Sequence, residues 1–275
     1  MQQDLTYRSP ARRARFGARL LVAEDNPVNQ DIAASMLSRM KCEVTLAANG
    51  AEAARLAAEM QFDLIFMDCE MPEMDGFAAS RLIRQSLPRN LPIIAMTAHP
   101  SSDIQTACLD AGMDDVLSKP LTLDALGAML RQWIGHLEIG AAEDHAPAAR
   151  SLPVPAATAA LDTGALTSIS ALSAPNGTTL LNRLIERFSD SAPRLMAELR
   201  DCSARHDLGT VRTTAHSLKS ASMALGASRL AALAGTIEKA GHEKDPNTVA
   251  SLVPLLGGEF ETALTELRLF AGHTP

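Results

Sequence analysis

Aromatic side chains make up only 3% of this 275-residue chain, with one Trp and one Tyr. That scarcity argues against a base-stacking platform for single-stranded nucleic acid. A net charge of −7 adds no reason to bind DNA. The four cysteines, Cys42, Cys69, Cys108 and Cys202, form no C-x-x-C pair, so a thiol metal site or disulfide framework is not expected. They read as buried, reduced thiols in a cytoplasmic protein. No apolar run approaches the roughly 20 residues needed to span a bilayer, and the N-terminus has arginines but no apolar signal core. Also absent are a phosphate-binding G-x-x-x-x-G-K loop, a D-x-G-x-G element and a basic recognition helix. No ATP site of the chain's own is therefore expected.

What it does have is apolar: 47% of residues, enough for a core built on Leu, Ala, Ile, Val and Met. The length suits two domains. Charge divides the chain, with nine bases against seventeen acids in residues 19–138 and eleven against twelve in 162–275. Residues 1–18 form a basic lead-in. Residues 139–161 hold nine Ala and three Pro in twenty-three positions and read as a linker. If flexible, such a linker spans roughly 25–29 Å, enough for the two domains to meet.

In residues 19–138, short apolar runs at 20–23, 42–46, 64–67, 93–96 and 116–117 alternate with amphipathic stretches near 28–40, 51–60, 76–86, 102–111 and 123–137. The runs are too apolar for one wet face, which predicts a five-stranded parallel sheet covered by helices on both sides. Beyond Asp162 the periodicity is helical. Helices are expected near 163–172, 177–190, 192–205, 207–224, 227–241 and 247–270, with Gly226 at a C-cap and Pro246 opening a helix. Short connections predict an antiparallel bundle.

Ligands of open parallel sheets bind beyond the carboxyl ends of the strands. There the sequence puts Glu24 and Asp25 after the first run, Asp68 after the third, Thr97 after the fourth and Lys119 after the fifth. Acids converging on one edge repel unless a divalent cation shares them, and hard oxygen ligands suit Mg²⁺. Lys119 and the Thr97 hydroxyl would complement a phosphoryl group on Asp68. In the second half, Leu208, Val211, Ala215, Leu218, Ser222 and Leu225 mark one helical seam, and His216 lies about 100° around from it. Arg212, Lys219 and Ser220 share the His216 face, two cations and a small residue around an imidazole.

The joint pattern, E-D at 24–25, M-D-C-E-M-P-E-M-D-G at 67–76, T-A at 97–98 and S-K-P at 118–120, resembles the receiver domain of two-component response regulators. The resemblance implies a flavodoxin-like fold with Asp68 as phospho-acceptor. It further implies Asp25 on Mg²⁺ directly (Mn²⁺ as a substitute), Glu24 through water, and the Glu70 carbonyl as a further ligand. Thr97 becomes the switch hydroxyl, Ala98 its small neighbour and Lys119 the phosphoryl-binding cation, followed by a cis peptide at Pro120. Val116 stands where many receivers have an aromatic switch residue. Glu70 and His99 flank the site at positions that tune acyl-phosphate hydrolysis.

The string A-H-S-L-K-S around His216 resembles the H-x-L-K-[GS] motif of histidine-containing phosphotransfer (Hpt) domains, a four-helix bundle. The apolar helix at 180–188 and the L-x-x-x-I-E-K run at 233–239 fit that family too. The resemblance implies transfer between Asp68 and the His216 Nε2, an intramolecular receiver–Hpt contact, an upstream histidine kinase and a downstream response regulator. The basic entry to the receiver resembles that of hybrid sensor kinases, which suggests the C-terminal part of such a kinase. A stand-alone relay is the alternative within that class. From a different class, the receiver would act as a docking module that occludes a kinase or the Hpt domain until phosphorylation releases it. A D-x-D phosphatase fits poorly because the second acid is Glu70.

Overall fold

The computed structural model describes residues 17–86, 91–98, 100–135, 161–170 and 180–272. Most of the basic lead-in, nearly all of the linker and His99 lie outside them.

Five strands, β1 (Arg19–Ala23), β2 (Glu43–Ala47), β3 (Leu64–Asp68), β4 (Ile93–Thr97) and β5 (Asp115–Ser118), form one parallel sheet in the order β2-β1-β3-β4-β5. Five helices alternate with them: α1 (Pro27–Arg39), α2 (Gly50–Glu59), α3 (Gly76–Ser86), α4 (Ser102–Asp110) and α5 (Leu123–Ile134). The side-chain period of two divides each central strand between the two faces. Leu20, Val22, Leu64, Phe66, Ile94 and Met96 join the core under α1 and α5. Leu21, Ala23, Ile65, Met67, Ile93 and Ala95 join the core under α2, α3 and α4, where Val116 also packs. Every residue of β3 and β4 is buried, as expected for strands covered on both sides.

The second half is helical: α6 (Thr163–Ser170), α7 (Leu180–Ala204), α8 (Leu208–Ala224), α9 (Ser228–His242), α10 (Pro246–Leu252) and α11 (Leu256–Phe270). α7, α8, α9 and α11 pack as the four-helix bundle, with Phe188 and Phe260 meeting at 5.6 Å between ring centroids. The expected seam of α8 is buried at Val211, Ala215, Leu218, Ser222 and Leu225. Gly226 takes φ +68° after α8, and its carbonyl accepts a hydrogen bond from the Asp162 N–H at 2.8 Å, tying the start of α6 to the bundle. Pro246 occupies the first turn of α10.

Two expected helix boundaries are corrected. The segments 177–190 and 192–205 are one helix of 25 residues with Pro193 inside it. The proline is exposed, and the buried row Phe188, Ala192, Met196 and Leu199 runs straight past it, so packing overrides the local penalty. Conversely, 247–270 is interrupted by a 3₁₀ turn at Val253–Leu255, where Pro254 cannot donate to a continuous helix.

α1 lies against α7 and α8, and the core beneath α1 and α5 is continuous with that of the bundle. All four cysteines are buried free thiols. No helix among the described residues is long and apolar enough to cross a membrane.

Candidate functional site

The site forms where the carboxyl ends of the strands meet α8. Gly76 shows why the motif after β3 ends in glycine: a Cβ there would lie 2.1 Å from the Asp68 carbonyl oxygen, closing the turn that presents Asp68. Lys119 reaches Asp68 because its backbone N–H bonds the Thr97 carbonyl at 2.8 Å, joining the ends of β4 and β5. The Lys119–Pro120 peptide is cis.

Carboxylate oxygens of Glu24, Asp25 and Asp68 all lie within 4.8 Å of one another. Lys119 Nζ donates to Glu24 Oε2 at 2.7 Å and to Asp68 Oδ2 at 2.6 Å. Burial pushes the pKa of Glu24 upward, with Lys119 opposing it. Asp25 is raised to about 6 by burial and then by the Glu24 charge. Asp68 is raised by burial, again against Lys119. Burial alone would lower the Lys119 pKa, but the two carboxylates outweigh it and hold the ammonium charged. Three acids share one lysine, and this excess of buried oxygen charge is what a hard divalent cation balances. The donor set therefore fits Mg²⁺, and Glu24, Asp25 and Asp68 are the side chains that would hold it. Thr97 is buried at the end of β4, and Ala98 lines the adjoining cavity.

α8 covers this edge. The Asn26 side chain caps α1 by accepting from the Val28 N–H at 2.9 Å, and its Nδ2 donates to the Ser217 carbonyl at 3.1 Å. Asn29 Nδ2 donates to Glu24 Oε1 at 2.9 Å and to Ser220 Oγ at 2.7 Å. Ser217 Oγ donates to Asp25 Oδ2 at 2.5 Å. These bonds aim the segment 216–220 at the acids, and a cavity of about 120 Å³ is lined by Glu24, Ala98, Lys119, His216, Ser220 and Met223, among others.

The sequence pattern suggests a solvent-facing His216. In the structure it is 4% exposed, because the α/β half lies over it. Its Nδ1 is 2.7 Å from Glu238 Oε1. Glu238 also takes Lys219 Nζ at 3.0 Å, and although burial opposes ionisation, His216 and Lys219 bring its pKa down to about 2. An ionised carboxylate only accepts, so Nδ1 carries the proton and Nε2 is the ring nitrogen left for chemistry. Burial pulls the His216 pKa down, yet the Glu238 hydrogen bond and the charges of Glu70 and Asp68 prevail and raise it.

The two cations expected to serve a phosphoryl group are both engaged by carboxylates. Arg212 Nη1 donates to Glu70 Oε2 at 2.7 Å across the domain boundary, and Lys219 holds Glu238. Ser220 serves as an acceptor for Asn29. Sequence reasoning gave no role to Glu238, Asn26 or Asn29. Glu238 stands inside the I-E-K run, and Asn26 and Asn29 follow within four residues of the E-D pair, so polar residues there are the available signal.

Fold and site together define two modules of two-component signalling. Residues 20–131 match the family "Response regulator receiver domain", and residues 183–269 match the family "Hpt domain". The chain thus contains a receiver domain followed by an Hpt domain. Similar curated proteins include the hybrid signal transduction protein dokA of Dictyostelium discoideum, 41% identical over 117 residues, which covers 42% of this chain and 7% of the relative. The signal transduction histidine-protein kinase BarA of Shigella flexneri is 40% identical over 116 residues, covering 42% of this chain and 12% of that protein. The chain thus spans only a small part of these relatives' length. Among solved structures, the receiver domain of the sensor histidine kinase PA1611 from Pseudomonas aeruginosa, crystallised with magnesium in its active-site cleft, is 43% identical. It covers 43% of this chain and 98% of its own, with a TM-score of 0.41.

Proposed function

We propose that the chain relays phosphoryl groups between a carboxylate and an imidazole in a two-component phosphorelay. The phosphoryl group arrives on Asp68 from an upstream histidine kinase, passes to His216, and leaves to the aspartate of a separate response regulator. The reverse route drains phosphate from that regulator to Asp68 and then to water. The observation that carries this reading is the cavity that His216 shares with Lys119 and Glu24, roofed by α8 and floored by the carboxyl ends of the strands. The histidine kinase among the relatives above supports a place beside, or within, a hybrid sensor kinase, and this reading sets the chain in the cytoplasm.

In the transfer from Asp68, the Nε2 lone pair attacks phosphorus. A P–N bond forms, the P–O bond to Asp68 breaks, and Asp68 departs as a carboxylate. Positive charge grows on the ring as Nε2 gives up its lone pair, and Glu238 stabilises it through the retained Nδ1–H. Lys119 then receives the negative charge returning to Asp68, and the Thr97 hydroxyl donates to a phosphoryl oxygen. Glu24, Asp25, Asp68 and the Glu70 carbonyl would hold Mg²⁺, with Mn²⁺ as a substitute. The ion supplies charge neutralisation at the phosphoryl oxygens.

A small acyl-phosphate or phosphoramidate donor tests the first step. Labelling should require Mg²⁺, vanish with a chelator and be abolished in Asp68→Asn. Labelling that persists without a divalent ion contradicts the assignment of the acids. A second reading, occlusion, draws on the burial of His216: the same contact bars any other receiver. Occlusion predicts that Asp68→Asn alters association while His216→Gln leaves output intact. A relay predicts that both block it.

A further inference from the structure

Among the described residues, two ion-paired clusters link the halves, and in each the acid belongs to the receiver and the base to the Hpt domain. Glu70 with Arg212 adjoins His216. The other stands apart from the chemistry. Asp31, on the second turn of α1, faces Arg183 and Arg187, which are one turn apart on α7. Asp31 Oδ2 is 2.5 Å from Arg187 Nε and 3.7 Å from Arg183 Nε. Arg183 Nη2 also donates to Ser35 Oγ, one turn further along α1, at 3.3 Å. The acid is the sheltered member, with its side chain 15% exposed against 44% and 49% for Arg183 and Arg187. Asp31 is not among the carboxylates that gather around Asp68.

A charged group at the rim of an interface changes encounter and partner choice more than intrinsic affinity. Selection gains most where the wrong partner meets repulsion. One acid set against two guanidinium groups has that property: a neutral residue at 31 loses an attraction, whereas a base there faces two like charges. Because the clamp is remote from Asp68 and His216, it can select a partner without altering the transfer step.

We propose that Asp31, held by Arg183 and Arg187, is the specificity determinant by which this Hpt domain recognises its own receiver. The proposal rests on the relay reading above. It also defines the second partner. A regulator that draws the phosphoryl group from His216 must use the same Hpt face, so it carries a carboxylate at the corresponding place on its first helix. Its receiver competes with the resident one for the two arginines.

The test uses the full chain, labelled at Asp68 by a small phosphodonor with Mg²⁺, in four forms. These are wild type, Asp31→Arg, Arg183→Asp/Arg187→Asp, and the three substitutions together. Asp31→Arg and the arginine pair should each slow the appearance of label on His216 about tenfold, with Asp68 labelling unchanged. The triple variant should recover to within about threefold of wild type, since complementarity is restored with the signs exchanged. The milder Asp31→Asn should lose about threefold, and added salt should shrink the wild-type advantage. Unaltered transfer in Asp31→Arg overturns the proposal. So does failure of the triple variant to recover while its Asp68 labels normally. If wild type labels Asp68 but never His216, the relay reading fails, and the proposal with it.

Discussion

Glu238→Gln tests the positioning of the phosphoryl-accepting ring. The substitution keeps length and shape but removes the charge from a side chain that sits 2.7 Å from His216 Nδ1 and 3.0 Å from Lys219 Nζ. With its pKa near 2, Glu238 is ionised throughout the working range, so the wild-type bond to the ring is charge-assisted. Bonds to charged groups contribute about 1.5–3 kcal/mol and neutral ones about 0.5–1.5 kcal/mol, leaving a difference of roughly 1–1.5 kcal/mol. The charge developing on the ring during P–N bond formation exposes that difference in the transition state. Transfer from Asp68 to His216 should therefore slow about tenfold. Single-turnover transfer measures the rate, and ¹⁵N NMR of the His216 ring reports the tautomer and pKa, which should fall toward the ordinary histidine value. Lys219 also loses its partner, so thermal unfolding is followed in parallel to separate destabilisation from slower chemistry. An unaltered transfer rate, with the Nδ1–H tautomer retained in the variant, refutes the reasoning.

Other expectations concern stability. Gly226→Ala should destabilise the Hpt domain by about 1–3 kcal/mol in denaturant unfolding, because φ there is +68° and a Cβ would lie 2.7 Å from the Asp162 carbonyl oxygen. Pro193→Ala should stabilise it by about 1–3 kcal/mol, since the exposed proline interrupts the hydrogen-bond ladder of α7; an unchanged midpoint counts against that. Asp207 caps α8 by accepting from the Thr210 N–H and hydroxyl, which lower its pKa below 3.8. A depressed carboxyl contributes stability above its unfolded pKa and loses it as pH falls through the folded value. The gap between wild type and Asp207→Asn in acid unfolding should accordingly be full above about pH 4 and close below it.

Much of this was legible in the residues. The alternation of apolar runs located all five strands to within a residue or two, and the acids, Thr97 and Lys119 at the strand ends met where parallel sheets gather their ligands. Gly226 and Pro246 announced helix boundaries through conformations that other residues adopt poorly. The local rules failed where packing outweighed them: Pro193 is tolerated because the buried row of α7 continues past it. They were silent on contacts made only by docking. Asp31 and Arg187 are ordinary surface charges in sequence, 156 positions apart, and nothing local announces their pairing. The burial of His216 is silent in the sequence for the same reason, since helical periodicity reports the side facing the bundle and not the side covered by another domain. Arg212 and Lys219 looked alike around His216, yet only the assembled structure separates one that reaches Glu70 on the receiver from one that steadies Glu238.

The central claim is that one phosphoryl group moves between Asp68 and His216, and the most direct test is a time course of label on wild type, Asp68→Asn and His216→Gln. The two products are distinguished by chemistry, the acyl phosphate being lost in base and the phosphoramidate in acid. The account predicts base-labile label first and acid-labile label following at its expense. Asp68→Asn should carry neither, and His216→Gln should retain only the base-labile form. Label that stays on Asp68 in wild type, even with a second receiver supplied as acceptor, would contradict it and leave the Hpt domain as a docking partner.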